Sequence, residues 1–247
     1  MTAIIAIEQG RLSDQVTVSA NAFGKEGSSL YLRNGEKMSL EHLLYGMMLR
    51  SGNDAATAIA EHVGGSVEGF ALLMNEKAKE IGMERSHFVN PHGLNADGHY
   101  STANDMAKLA AYALRNSVFR EIVKTKVKQA PNPNDEWNYK WYNKNKMLSL
   151  YEGADGVKTG YTRKAGRCLV SSASRDGRQL AAVTLNDGND WADHARMLDY
   201  GFSHFPSVEI VEEGETVEDA PGYAAARSFH YPLADEEREA VTTKAVL

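Results

Sequence analysis

Two short polar segments carry residue types that acyl-transfer chemistry uses. S-G-N at 51–53 lies between two predicted helices, and K-T-G at 158–160 lies on a predicted strand just before a hairpin. A serine hydroxyl can relay a proton, an asparagine can hydrogen-bond an amide, and a lysine supplies positive potential. Each segment alone also has an ordinary interpretation. Ser51 could end one helix and Asn53 could cap the next, while Lys158 could be a solvated strand residue.

The elements that must position these segments are predicted from helix caps and turn signals. Ser39 and Ser66 are suitable N-caps for helices with apolar stripes, and T-A-N-D at 102–105 forms a capping box. The proline-broken segment 129–147 predicts a surface excursion, and the D-G step at 176–177 predicts a hairpin between antiparallel strands. Helices followed by a meander of strands indicate an α+β fold, with an antiparallel sheet and a helical subdomain.

Composition excludes several classes of function. The 247 residues are 43% hydrophobic and 24% charged, which is typical of a globular protein, and the net charge of −6 without a basic cluster disfavours nucleic-acid binding. The single cysteine, Cys168, excludes an internal disulfide framework and is interpreted as a small buried residue. No H-E-x-x-H motif is present, so neither a metal nor another cofactor is predicted.

Three long stretches carry a closer resemblance. "LLYGMMLRSGNDAATAIAEHVGGSVEGF", "HFVNPHGLNADGHYSTANDMAKLA" and "GADGVKTGYTRKAGRCLVSSASRDGRQL" resemble the D-alanyl-D-alanine carboxypeptidases, the low-molecular-weight penicillin-binding proteins of peptidase family S11. The resemblance covers residues 1–205, a peptidase domain with the serine β-lactamase/transpeptidase-like fold. Residues 206–247 resemble the start of a β-rich C-terminal domain. The implied activity removes the terminal D-alanine of peptidoglycan pentapeptides through an acyl-serine, with β-lactams as inhibitors.

The resemblance implies a catalytic role for three residues. Ser51 is expected to relay a proton between the nucleophile and the leaving amine. Asn53 is expected to hydrogen-bond the substrate amide and the general-base lysine, and Lys158 is expected to act as an electrostatic anchor. Gly52 departs from the S-D-N form of this motif, in which an aspartate occupies the middle position.

The strand residues that follow Lys158 are expected to bind substrate. The Thr159 hydroxyl can hold a carboxylate, Gly160 lets an extended peptide lie alongside the strand, and the Tyr161 backbone N–H is the expected half of an oxyanion hole. His92 and Asp105 lie in family-like stretches and could border the site, although a turn histidine and a capping carboxylate are the ordinary alternatives.

The nucleophile motif of the family is missing. No serine among the 247 residues is followed three residues later by lysine, whereas the family places S-x-x-K on the first turn of a central helix. The opening "MTAIIAIEQG" reads as such a helix without an N-cap, closed by Gly10. We therefore expect a chain truncated just after S-x-x-K and again within the second domain, lacking the early strands. Such a chain is expected to be inactive and poorly stable in isolation.

The two motifs are also compatible with other kinds of protein. A β-lactamase or transpeptidase relative would share both motifs, and a non-catalytic peptidoglycan-binding or regulatory module would share them without a nucleophile. The expected partner is a peptidoglycan stem peptide on the cell-wall side of a bacterial membrane. The 247 residues contain neither a signal peptide nor an apolar run of the roughly 20 residues that span a bilayer. Membrane attachment is therefore expected only through segments not present here.

Overall fold

The computed structural model describes residues 1–216 and 222–242, which form an α+β structure. The helices are α1 (Thr2–Gln9), α2 (Leu40–Arg50), α3 (Asn53–Gly64), α4 (Val67–Ile81), α5 (Ala103–Ala113), α6 (Ser117–Lys124), α7 (Met147–Leu150) and α8 (Asp190–His204). The strands are β1 (Gln15–Thr17), β2 (Lys37–Ser39), β3 (Val127–Ala130), β4 (Tyr139–Tyr142), β5 (Ala154–Thr162), β6 (Gly166–Arg175), β7 (Arg178–Leu185), β8 (Ser207–Val211) and β9 (Phe229–Pro232). A 3-10 helix follows at Asp235–Ala240.

The helices begin where the caps predict. The side chains of Ser39 and Ser66 accept hydrogen bonds from backbone N–H groups in the first turns of α2 and α4. Thr102 accepts from the Asp105 N–H in the same way at α5. The second half of the predicted capping box is wrong, because the Asp105 carboxylate accepts from the Arg85 N–H and the Ser86 hydroxyl instead. That carboxylate therefore fixes the loop before α5.

The helical half holds the larger hydrophobic core. Ile4 and Ile5 of α1 are almost completely buried between the other helices, as are Leu43 and Leu44 of α2 and Ile59 of α3. Burying a side chain of this size stabilises the folded state by about 2 kcal/mol, because its apolar surface is removed from water. The junction between α2 and α3, which carries Ser51 and Asn53, is therefore held by packing on both sides.

Strands β5, β6 and β7 form an antiparallel sheet in that order. The β6–β7 hairpin turns at Asp176 and Gly177, which both have positive φ, as the D-G step predicts. Val170 on β6 packs into the helical core, while Leu169 on the opposite face packs against α8. The sheet thus lies between the helical half and α8, and its β5 strand faces the α2–α3 junction.

The segment 129–147 is less external than predicted. β3 pairs with β4, and Trp141 on β4 is only 4% exposed within the larger core. The prediction of a surface excursion is wrong for this strand, because alternation places one of its aromatic side chains inward.

The C-terminal residues contain a separate two-stranded sheet. β8 and β9 pair antiparallel after α8 ends. Residues 217–221 and 243–247, which belong to the predicted β-rich domain 206–247, lie outside the described residues, and the domain boundary at 205 stays a prediction. Within the described ranges, none of the helices combines the length and apolarity that a membrane span requires.

Candidate active site

The α2–α3 junction sets one wall of the site through its backbone. Ser51 ends α2 with its N–H donating to the Met47 carbonyl, and its φ of 62° is in the left-handed region. Gly52 is the N-cap of α3, and Asn53 is the first helical residue, so the interpretation of Asn53 as a cap is wrong. Its Nδ2 donates to the Glu26 carbonyl instead, at 2.7 Å. We call Ser51 and Asn53 the helix-side wall.

A buried carboxylate next to this wall holds the loop in front of it. Asp54 is 1% exposed and accepts hydrogen bonds from the backbone N–H groups of Leu30 and Leu32 and from the Ser29 hydroxyl. Gly52 is required here by space, because a Cβ would lie 2.7 Å from Cγ of Leu30 and 2.9 Å from an Asp54 oxygen. The departure from S-D-N therefore has a packing reason in this chain.

Strand β5 supplies the opposite wall. The Lys158 Nζ donates to the Ser51 Oγ at 2.5 Å and to the Thr159 carbonyl at 2.8 Å. Burial, with a smaller contribution from the nearby Lys144 cation, lowers the pKa of Lys158 to about 8. We call the consecutive residues Lys158, Thr159, Gly160 and Tyr161 the strand-side wall. Lys158 is thus hydrogen-bonded to the helix-side wall, and its lowered pKa lies within about one unit of neutral pH.

All six residues predicted for the site line one cavity. It has a volume of about 750 Å³ between the two walls. We call this cavity the groove. Ser51, Asn53 and Lys158 also line a second, mostly apolar cavity of about 190 Å³, which includes the first residues of α1. The Tyr161 side chain is 71% exposed at the rim. The tertiary structure therefore brings together all the residues that the two motifs singled out.

Of the two lesser candidates, only His92 reaches the site. It lines both cavities, and burial together with Lys25 and His99 lowers its pKa to about 4, so its imidazole is neutral at pH 7. Its Nδ1 accepts from the Leu94 N–H at 3.3 Å. Asp105 is instead buried in the loop contacts described above.

Other lining residues carried no functional signal in the sequence. Lys144 donates to the Ser28 hydroxyl at 3.1 Å at one part of the groove, and Arg167 and Trp191 line another. Cys168 also lines the groove and is partly exposed, so the interpretation of it as a buried residue is wrong. These side chains come from a loop, β6 and α8, and no local pattern links those segments to the two motifs.

The family model of the D-alanyl-D-alanine carboxypeptidases, peptidase S11, matches residues 1–189. The chain belongs to this family. The resemblance read from the three long stretches is thereby confirmed. Members of the family are D-Ala-D-Ala carboxypeptidases, hydrolases of the bacterial cell wall.

Curated relatives extend the match over most of the chain. The D-alanyl-D-alanine carboxypeptidase DacF of Bacillus subtilis (strain 168) is 36% identical over 217 residues, which is 86% of this chain and 56% of that protein. DacC of Escherichia coli K12 is 36% identical over 225 residues, which is 83% of this chain and 53% of that protein. This S11 chain therefore spans about half the length of these relatives.

Solved structures confirm the fold. The D-alanyl-D-alanine carboxypeptidase DacD from Francisella tularensis superposes with a TM-score of 0.79 at 26% identity, covering 96% of this chain and 75% of that one. The Streptomyces K15 DD-transpeptidase gives a TM-score of 0.76 at 33% identity, covering 82% of this chain and 84% of that one. The predicted serine β-lactamase/transpeptidase-like fold is thus confirmed for this S11 chain.

Proposed function

We propose that this chain carries the substrate-binding walls of a serine DD-peptidase site that acts on D-Ala-D-Ala termini of peptidoglycan stem peptides. The observation that carries the proposal is the hydrogen bond from Lys158 Nζ to Ser51 Oγ across a groove that all six motif residues line. Family membership and the groove's dimensions support a peptide as the ligand, because an extended peptide can run beside β5. The enzyme then works on the cell-wall side of a bacterial membrane.

The roles of the groove residues follow from their chemistry. Ser51 can pass a proton because its hydroxyl both donates and accepts, and Lys158 holds that hydroxyl in place. Within the described residues Asn53 uses Nδ2 on the Glu26 carbonyl, so its Oδ1 is left to accept from a substrate amide. The Thr159 hydroxyl binds the substrate carboxylate, Gly160 admits the peptide, and the Tyr161 N–H polarises the scissile carbonyl.

The acylation step needs a nucleophile that these 247 residues do not contain in S-x-x-K form. The first residues of α1 line the smaller cavity beside Ser51 and Lys158. In the S11 family, the S-x-x-K motif lies on the first turn of such a helix. The nucleophile would therefore act at this smaller cavity. We infer that the 247-residue polypeptide binds peptide without forming an acyl-enzyme, and that β-lactams do not label it covalently.

Peptide titration tests the binding half of the proposal. Amide NMR signals of Gly160 and Tyr161 are followed in the ¹⁵N-labelled chain while N-acetyl-D-Ala-D-Ala is added, with the L,L-dipeptide as the stereochemical control. The D,D-peptide is expected to shift these signals saturably and the L,L-peptide to do so more weakly. Lys158→Met is expected to abolish the effect, whereas Lys146→Met, an exposed lysine outside the groove, leaves it unchanged. Absence of binding, or equal binding of both dipeptides, contradicts the proposal.

Fluorescent penicillin tests the covalent half. No covalent band is expected from the 247-residue chain under conditions in which a DD-peptidase that contains S-x-x-K is labelled. A covalent band from this chain contradicts the inference that it cannot be acylated. If Ser51→Ala removed such a band, Ser51 would be the nucleophile and its assignment as a proton relay would be wrong.

A further inference from the structure

One loop between α4 and α5 reaches the groove with its tip. It spans residues 87–100 and is closed at its base by an antiparallel bridge, in which His87 and Tyr100 exchange backbone hydrogen bonds of 2.9 and 3.0 Å. Residues 92–94 at the tip line the groove. The loop contains three histidines, which are His87, His92 and His99. We call it the histidine loop, and its conformation shapes one side of the groove.

Two of the three imidazoles accept hydrogen bonds from the backbone of the loop itself. The Val89 N–H donates to Nδ1 of His99 at 3.1 Å, and the Leu94 N–H donates to Nδ1 of His92 at 3.3 Å. Because a backbone N–H can only donate, both Nδ1 atoms are unprotonated in this arrangement. A proton bound at either Nδ1 turns an acceptor into a donor. The two hydrogen bonds therefore exist only while the imidazoles are neutral.

The third histidine of the loop makes the opposite kind of contact. Nδ1 of His87 lies 2.8 Å from the Gly98 carbonyl oxygen, which can only accept, so this Nδ1 carries the proton. A second proton binds at Nε2 and leaves the hydrogen bond to Gly98 intact. His87 therefore provides a matched control for His92 and His99 within the same loop.

The surroundings of His92 and His99 disfavour their cationic forms. The His99 ring packs edge-on against Phe88, with ring centroids 5.8 Å apart. Burial, followed by the neighbouring His87, lowers the pKa of His99 below its ordinary value. Burial, followed by Lys25 and His99, lowers the pKa of His92 to about 4. Both rings are therefore neutral at pH 7, as their hydrogen bonds require.

Carboxylates close to the loop do not compensate a charge on either ring. The groove that His92 lines contributes further charged groups, which are Lys144, Lys158, Arg167 and Asp190. The carboxylate of Asp190 is bound to the Arg167 guanidinium. Asp97, within the loop, is exposed, and among the described residues it forms no hydrogen bond with either ring. Proton uptake by the rings therefore opposes closure of the loop.

The base of the loop is held by contacts that do not titrate. Oδ1 of Asn75 on α4 accepts from the Phe88 N–H at 2.8 Å, and its Nδ2 donates to the Phe88 carbonyl at 2.7 Å. Within the tip, Asn90 accepts from the Gly93 N–H and donates to the Leu94 carbonyl. The turn 90–94 is therefore expected to move as a unit on an anchored base.

We propose that His92 and His99 form an acid-sensitive latch, in which proton uptake at their Nδ1 atoms breaks the two backbone hydrogen bonds, loosens the tip of the histidine loop and lowers peptide affinity in the groove. The inference deepens the proposed function, on which its binding half rests.

The direction of the pH dependence follows from the two states of the loop. In the loosened loop the imidazoles take up protons near the ordinary histidine pKa of about 6.5, whereas the closed loop takes them up only at lower pH. The closed loop is therefore most stable above about pH 7 and loses stability as the pH falls below about 6.5.

Amide hydrogen exchange tests the latch without a ligand. Exchange of the Val89 and Leu94 N–H groups is measured by NMR in the 247-residue chain at pH 7 and pH 5 and corrected for the intrinsic rate at each pH. Their protection is expected to fall about tenfold or more at pH 5, since one unit of pKa difference changes the ratio of loosened to closed loop by up to tenfold. His99→Asn places a neutral acceptor near the position of Nδ1 and is expected to abolish the fall at Val89, whereas His87→Gln keeps it. Equal protection at both pH values in the wild type, or an unchanged fall in His99→Asn, overturns the latch.

Peptide affinity tests whether the latch acts on the groove. Dissociation constants of N-acetyl-D-Ala-D-Ala are measured by NMR titration at pH 7 and pH 5, where Lys158 stays charged and the peptide carboxylate stays ionised. The wild type is expected to bind about threefold or more weakly at pH 5, and His99→Asn, which does not line the groove, to lose less. His99→Gln, also a neutral acceptor, replaces His99→Asn if that variant does not fold.

The outcomes separate this inference from the proposed function. The same affinity at both pH values in the wild type, or the same loss in His99→Asn, overturns regulation of the groove by the latch while the proposed function stands. Failure of the peptide to bind at either pH overturns the proposed function, and hydrogen exchange then still decides whether the latch exists.

Discussion

The helix-side wall and the strand-side wall of the groove are positioned by different means. Ser51 and Asn53 are two residues apart and are set by one helix end, one helix start and the buried Asp54. Lys158 to Tyr161 lie on a strand whose place depends on pairing with β6. The helix-side wall is formed by residues that are close together in the sequence and mostly buried, whereas the strand-side wall is more exposed toward the rim.

The two walls are expected to respond differently to mutation. The helix-side wall is expected to fail by losing structure, because the buried Asp54 carboxylate beside it accepts from backbone N–H groups of the loop in front of it. The strand-side wall is expected to lose binding before it loses structure, because its side chains are supported by a sheet whose ladder does not depend on them. Substitutions at four positions test this distinction.

Removal of the Asp54 carboxylate should have the largest effect. Asp54→Ala leaves the Leu30 and Leu32 N–H groups and the Ser29 hydroxyl without their buried acceptor. We expect the free energy of unfolding to fall by about 3 kcal/mol or more. Urea denaturation measures the change, with Asp97→Ala at an exposed loop as the control. A loss below about 1 kcal/mol would show that the helix-side wall does not depend on this carboxylate.

Lys158 should make stability depend on pH in a defined direction. Its pKa is lowered to about 8 in the folded chain, against about 10.5 when unfolded, so the unfolded state binds more protons between these values. The cost of the buried cation is therefore present below pH 8 and is relieved as the pH rises toward 10.5. Between pH 8 and 10 the wild type should gain on the order of 1–2 kcal/mol relative to Lys158→Met, after discounting for partial exposure.

The wild type and Lys158→Met are unfolded side by side at each pH. Their difference in unfolding free energy cancels the contribution of tyrosines that titrate in the same range. A constant difference across this pH range would mean that Lys158 keeps its ordinary pKa. Peptide binding provides a second readout, because affinity for the anionic dipeptide should fall above pH 8 as Lys158 loses its charge.

The left-handed backbone conformation of Ser51 should lower the free energy of unfolding by a smaller amount. Its φ of 62° suits glycine better than any residue with a Cβ. Ser51→Gly and Ser51→Ala both remove the hydroxyl that Lys158 contacts, so their difference isolates the backbone. We expect the glycine variant to be more stable by about 1 kcal/mol in urea denaturation. Equal stability of the two variants would argue that the junction relaxes on mutation and that the wall is less rigid than its packing indicates.

Lys144 should have the smallest effect. It is the second cause of the lowered pKa of Lys158, after burial, so Lys144→Gln should raise that pKa only slightly. The midpoint of the pH dependence of dipeptide binding is expected to move upward by a minor part of the total shift, with unchanged stability. Lys146→Gln is the control at a neighbouring exposed position. Complete return of the midpoint toward 10.5 would show that charge repulsion, not burial, sets the pKa.

Much of the fold could be predicted because it depends on short-range signals. The caps at Ser39, Ser66 and Thr102 and the turn at Asp176 and Gly177 all act within a few residues, and the structure confirms each of them. The sequence predicts a surface excursion for the segment that contains Trp141 and a buried position for Cys168. Both predictions are wrong, because the burial of a side chain depends on what packs against its strand. The local pattern around them does not contain that information.

The candidate site divides in the same way. Two tripeptides and a family resemblance identified six residues that the tertiary structure places around one groove. The sequence does not single out Lys144, Arg167 or Trp191, because a lone lysine, arginine or tryptophan has no motif. Only their arrival at the same cavity makes them candidates.

The sequence by itself determined the family, the capped helices, the β6–β7 hairpin, and the residue types of the two walls. Those properties follow from patterns that span a few residues, or from motifs that can be recognised from their residue types alone. Only the tertiary structure decided that Lys158 donates to Ser51, 107 residues away, and that Arg167 faces the groove while Arg175 does not. Such contacts depend on strand register and on packing between the helical half and the sheet, for which no local sequence signal exists.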